Sequence, residues 1–164
     1  MSPPIKRRRD GRYVLRLDAN ARVVLANLAA QLPEALASGD PMVQHLFPPA
    51  YTSDDQVAAE KDYRELVDAA LVNHHTRSLE TLVATAEAGS LSEEEFGAWL
   101  DAIGSLRLVL GTRLDVHEDM EAPDPQDPKA TEYELFAFLG ELQYLMVEIL
   151  AEDLPDGGRP EGTL

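Results

Sequence analysis

Along this chain apolar residues recur at steps of three and four over four long stretches and alternate over one short one. That pattern predicts helices and a single strand. The clearest stretch is 91–114, LSEEEFGAWLDAIGSLRLVLGTRL, where Phe96, Trp99, Leu100, Ile103, Leu106, Leu110 and Leu114 share one helical face. Ser92 with Glu95 has the spacing of a capping box, in which each side chain takes up a backbone N–H of the first turn. This helix is expected at the centre of a bundle. Arg107 and Arg113 lie among or beside its apolar positions, so a purely greasy contact is not its whole role.

Residues 11–17 alternate Tyr13, Leu15 and Leu17 against Arg12, Val14 and Arg16, a strand pattern. One strand cannot stand alone. No other stretch offers a convincing partner, which leaves pairing with a second copy of the chain as one solution. Asp18 suits the N-cap of a helix over 19–32, with Val23, Val24, Leu25, Leu28 and Leu32 as its stripe. Pro33 and then Ser38-Gly39-Asp40-Pro41 predict a loop. The apolar, proline-braked run 45–51 reads as an ordered loop anchored by Phe47 and Tyr51.

Ser53 with Gln56 opens a long helix whose phase holds from Val57 as far as Ala88. Its length exceeds that of the common helix, which leaves room for a break near Val72-Asn73-His74. After Leu114 the chain turns acidic and proline-rich. Thr131 with Glu134 predicts the cap of a last helix carrying Leu135, Phe136, Phe138, Leu139, Leu142, Leu145, Met146, Ile149 and Leu150. So wide a band implies burial on more than one side, by other helices or by a second subunit. The expected fold is mainly α, a bundle of four to five helices with one short N-terminal β-strand. A flexible basic arm (1–10) precedes a single helical domain (11–150), and a disordered acidic tail (151–164) follows.

Composition narrows the chemistry. The 164 residues make one domain, and a 45% hydrophobic content suits a globular chain. The absence of cysteine excludes disulfides, thiolate metal sites and cysteine nucleophiles. No secretory leader and no apolar run of roughly 20 residues is visible, so a cytoplasmic protein without membrane contact is expected. Charge is unevenly spread within the net −16. Residues 1–22 hold seven basic against two acidic side chains, or +5, and the remainder carries −21. An acidic body repels a phosphate backbone. Only the basic arm reverses that sign locally.

His74 and His75 are adjacent, do not share a helical face, and read as boundary or core histidines. Asp115, His117, Glu118, Asp119 and Glu121 lack the spacing of a calcium loop. Glu93, Glu94 and Glu95 suit the first turn of a helix through its dipole. No phosphate loop, HExxH or GxSxG is present, so an enzyme, a metal and a cofactor are not expected. Arg64, Arg107 and Arg113 are candidates for structural ion pairs between helices, with acids such as Glu60, Asp101 or Glu141 as partners. An anion pocket around Arg107 is the functional alternative. Lys6, Arg7, Arg8 and Arg9 form the candidate contact to nucleic acid or to a protein partner; without a recognition helix, any DNA contact is expected to be weak or absent.

Several runs together resemble a known family. They are Gly11-Arg12-Tyr13, His45-Leu46-Phe47-Pro48-Pro49-Ala50-Tyr51, Tyr63-Arg64-Glu65-Leu66, Trp99-Leu100-Asp101-Ala102-Ile103, and Leu139-Gly140 with Leu142-Gln143. The most specific is Leu106-Arg107-Leu108-Val109-Leu110-Gly111-Thr112-Arg113-Leu114. The chain is similar over about residues 11–150 to an actinobacterial family long described as a domain of unknown function. One branch is called AosR, for actinomycete oxidative stress regulator. The resemblance implies a cytoplasmic, non-enzymatic regulator acting on transcription, with a sigma factor as protein partner, in the response to oxidative stress. The cysteine pair of the family's redox switch has no counterpart here. Oxidation of Met42, Met120 or Met146 is a conceivable substitute, though packing and exposure explain those residues better. The alternative is a homodimeric helical interaction or scaffold module with no transcriptional role.

Overall fold

The computed structural model describes residues 4–38, 57–114 and 126–153, and within these the side chains of all but 36–38, 57–68 and 153. Two short strands, β1 (Ile5–Arg7) and β2 (Tyr13–Leu15), precede four helices: α1 (Ala19–Ser38), α2 (Val57–Ala84), α3 (Glu93–Arg113) and α4 (Ala130–Asp153). The fold is mainly helical, as the periodicity implies. The expectation of a single strand with no partner in the chain is corrected. β1 and β2 pair antiparallel, with Ile5 opposite Leu15, Lys6 opposite Val14 and Arg7 opposite Tyr13.

The partner strand comes from the run expected to be a flexible arm. Ile5 is 3% exposed, and its burial fixes the segment to the body. The turn between the strands closes through Arg8 N–H to Arg12 O (2.7 Å) and Gly11 N–H to Arg8 O (3.0 Å). Gly11 has φ +86°, a conformation that costs a side-chain-bearing residue free energy and glycine little. β2 also exchanges two backbone hydrogen bonds between Tyr13 and Leu91, both 2.8 Å, so the segment before α3 extends the sheet.

Asp18 caps α1 as its position implies, its Oδ1 accepting from Ala21 N–H at 2.7 Å. The helix does not stop at Pro33 but runs through it to Ser38. A proline inside a helix removes one bond and costs ~3 kcal/mol. Burial of Leu25, Ala29 and Leu32 on one face, with half-buried Ala35 following, offsets that cost. α2 is continuous through Val72-Asn73-His74 and ends at Ala84, four residues before the expected limit at Ala88. Its Ser53–Gln56 cap and the anchors Phe47 and Tyr51 lie outside the described residues, as do the loop donors Asp115, His117, Glu118, Asp119 and Glu121.

α3 occupies the central position. Its capping box is complete, with Glu95 N–H to Ser92 Oγ at 3.1 Å and Ser92 N–H to Glu95 Oε1 at 2.8 Å. α2 packs on one side and α4 on the other, α1 packs on α2 and touches α3, and β1 lies against α4. Phe96, Trp99, Ala102 and Ile103 are fully buried. Phe96 stacks on Tyr13 with ring centroids 4.0 Å apart, which joins sheet to helix. The Trp99 indole N–H reaches Thr85 Oγ1 at 2.7 Å, so its one polar atom is satisfied in the core. The expected Thr131 cap is also corrected: α4 starts one residue earlier. Asp127 opens it, accepting from Lys129 N–H with Oδ1 (2.8 Å) and from Ala130 N–H with its carbonyl (2.9 Å).

Candidate functional site

The hairpin gathers six of the chain's 14 basic residues, Lys6, Arg7, Arg8, Arg9, Arg12 and Arg16. Side chains alternate across a strand pair, so Ile5, Arg7, Tyr13 and Leu15 share the face toward the body, and Lys6, Arg8, Arg12, Val14 and Arg16 share the other. Arg8 and Arg12 oppose each other on that outer face, where like charges destabilise a sheet. Both find acids nearby. Arg8 Nη2 is 3.0 Å from Asp10 Oδ2, and Arg12 Nη2 is 3.8 Å from Glu95 Oε1. Arg12 also donates to Ser90 through Nε (2.8 Å to Oγ) and Nη2 (3.1 Å to the carbonyl). Arg7 places its guanidinium carbon 5.9 Å from the Tyr13 ring centroid. Lys6, Arg9 and Arg16 are exposed, and no described residue pairs with them.

A residue that sequence reasoning counted only as charge fixes this hairpin to the bundle. Arg22, in the first turn of α1, donates to Leu15 O (2.7 Å), Leu17 O (3.3 Å), Ala86 O (2.8 Å) and Ala88 O (3.2 Å). One guanidinium thus holds β2, the entry to α1 and the turn after α2 in register. An open hollow of about 410 Å³ beside it is lined by Arg22, Val23, Ala26 and Ala86 among others. Its arginine is already engaged with carbonyls, and the exposed Asn27 and Glu87 supply the rest of its polar lining.

Between α2 and α3 lies a polar notch. Asp101 Oδ2 sits 3.4 Å from His74 Nε2 and 3.6 Å from His75 Nδ1. That oxygen is buried without a partner at full hydrogen-bonding geometry. Burial by itself would raise the Asp101 carboxyl. Contacts with His75 and Ser78 and the electrostatic pull of both histidines outweigh it, and the group sits below the ordinary carboxylate value. Ser105, itself buried, lies 3.2 Å from His75 Nδ1. The adjacent histidines do not share a helical face, yet both approach one carboxylate. They converge because the carboxylate belongs to the facing helix. Among the described residues, no group of three or more His, Cys, Asp or Glu could hold a metal ion.

The seam between α3 and α4 holds the other arginines. Arg113 Nη2 is 3.1 Å from Glu132 Oε1, an ion pair joining the two helices. The ion pair expected for Arg107 is corrected. Its Nη1 donates to Gln143 Oε1 at 3.3 Å, and its guanidinium lies 5.2 Å from the Phe136 ring centroid. Exposed to water, it has no buried charge to neutralise, and a neutral amide with a ring face suffices. The arrangement is not an anion pocket. Arg64 lies on α2, but its side chain is outside the described residues, as is that of Glu60. Of the methionines weighed for oxidation, Met146 is fully buried, and Met42 and Met120 lie outside the described residues. No helix among the described residues is long and apolar enough to cross a membrane.

Comparison with known proteins shows the family to which the sequence belongs. No solved structure matches it. A protein of Mycobacterium leprae, named as a candidate oxidative stress regulator, AosR, is 30% identical over 141 residues. The match covers 74% of this chain and 62% of the relative, so the chain spans under two thirds of that protein's length. The family model described as a domain of unknown function, DUF2017, matches residues 1–150. That range takes in the hairpin and almost all of α4, and the chain belongs to this family.

Proposed function

We propose that the chain is a regulatory protein of the oxidative-stress response, acting on transcription through protein partners and performing no reaction of its own. The observation that carries this reading is the likeness to the M. leprae protein named for such a role. The site agrees with it: the polar groups of the α2–α3 notch bind one another, and the exposed cations lie on a surface rather than in a pocket. The regulator works without a cysteine switch, since the chain contains no cysteine. Its place of action is the cytoplasm, where transcription occurs.

The test is transcript profiling of the native host, with the gene deleted and then restored, before and after peroxide. A peroxide-responsive set of genes should lose its response on deletion and regain it on complementation. Identical profiles in all strains would overturn the reading. Tyr144 (62% exposed) and Val147 (49% exposed), one turn apart on α4, favour the second reading, a homodimeric scaffold. A stable dimer in light scattering, together with unchanged transcripts, would select it.

A further inference from the structure

We infer that the outer face of the hairpin is a docking surface for a short, extended, acidic protein segment with carboxylates at alternate positions. The inference rests on the reading of the chain as a protein-binding regulator. Its starting point is a charge arrangement that the fold does not need. Ile5, Tyr13 and Leu15 supply the hairpin's packing, and all three are buried. Lys6, Arg9 and Arg16 are exposed, and no described residue neutralises them. Lys6 lies opposite Val14, so Arg16 is its diagonal neighbour across the strands, at roughly 7–8 Å. Such like charges repel one another, and nothing else in the hairpin depends on them.

The shape of the cationic surface selects the partner. It is one strand pair wide, and an extended peptide presents side chains on one face at every second residue, about 6.6 Å apart. Carboxylates at that spacing meet the cations along the hairpin, where arginine's planar fork favours carboxylate oxygens. A nucleic-acid duplex fits poorly. It is a stiff rod carrying one charge per ~1.7 Å of axis. The first turn of α3, with Glu93 and Glu94 exposed and Glu95 beside Arg12, borders the hairpin. Beyond it the chain is acidic on balance, since residues 23–164 carry −21. A narrow acidic strand can stay on the hairpin, whereas a duplex would run on to these carboxylates.

The test uses fluorescence anisotropy with the full chain and three labelled probes: an alternating Glu-Ala peptide about eight residues long, the matching Lys-Ala peptide, and a short DNA duplex. The Glu-Ala peptide should bind saturably and weaken as salt rises, because the contact is exposed to screening. The double variant Lys6→Glu with Arg16→Glu should weaken it about tenfold or more, with an unchanged melting temperature as the check that the hairpin is intact. Absence of saturable Glu-Ala binding, or binding that the double variant leaves unaltered, would overturn the assignment. Tighter binding of the duplex than of the peptide, lost in the double variant, would replace it with a nucleic-acid surface. The transcript experiment is separate: a strain that loses its peroxide response while the protein ignores the peptide retires this surface and keeps the regulator.

Discussion

Arg22 shows how much of this fold depends on a single side chain. Its four carbonyl partners lie in two stretches far apart in the chain, Leu15 with Leu17 and Ala86 with Ala88, and removing the guanidinium takes away a donor from each. Arg22→Met is expected to lower stability by about 2–4 kcal/mol in urea denaturation, the cost of several charge-assisted bonds lost in a part-buried site. Arg22→Lys should recover only part of this, since an ammonium cannot reach all four oxygens at once. Arg107 is the contrasting case. Exposed and, among the described residues, meeting Gln143 and the face of Phe136, it should tolerate Arg107→Leu with a change below ~1 kcal/mol in the same assay. Neither outcome follows from residue type alone. What differs is the partner set, and backbone carbonyls leave no mark in a sequence.

At the scale of elements, α3 and α4 approach closely because glycines line their contact. A Cβ at Gly111 would lie 2.9 Å from Phe136 Cε2, and one at Gly140 would lie 3.1 Å from Arg107 Nε. Gly111→Val should therefore force the helices apart and cost ~1–3 kcal/mol, read as a lower melting temperature. The α2–α3 contact has a pH dependence of definite sign. Asp101 is held below its ordinary value, so the native state keeps it ionised where the unfolded chain has begun to protonate. Its contribution is complete above the unfolded carboxylate value and is lost as pH falls through the folded one. Asp101→Asn should flatten the acid limb of melting temperature against pH and leave the neutral plateau less affected.

These elements differ in how openly the sequence displays them. α3 is legible because its capping box and its apolar period mark the same start. β1 is not, since Ile5 is its one apolar residue and a single position defines no alternation. α1 continues beyond Pro33 because burial on α2 outweighs a local preference, and a local reading weighs only the latter. The histidine–aspartate notch escaped notice for a similar reason: spacing on one helix says nothing about what the facing helix presents.

For the whole molecule, the N-terminal segment is part of the folded body rather than an appendage. Deleting residues 1–10 removes β1, uncovers Leu15 and Tyr13, and takes away the buried Ile5 side chain, worth about 1.5–3 kcal/mol by itself. A clear fall in melting temperature is expected, where loss of a loose arm would leave it unchanged. The net charge of −16 sets a second property. Self-repulsion weakens the compact state, so moderate salt should raise the melting temperature until the acidic body is screened. The hairpin's separate positive charge should meanwhile lose its attraction for any acidic partner over the same range.

The bridge from Tyr13 to Leu91, with Arg22 reaching Ala86 and Ala88, has a consequence for how the chain is made. Synthesis runs from N to C, so the hairpin leaves the ribosome ahead of its docking site and must wait until α2 and the residues after it have emerged. Until then its isoleucine, tyrosine and leucine stay in water beside a row of cations. Those charges keep the hairpin soluble through the interval, until its backbone meets Leu91 and the arginine of α1 closes on the turn after α2.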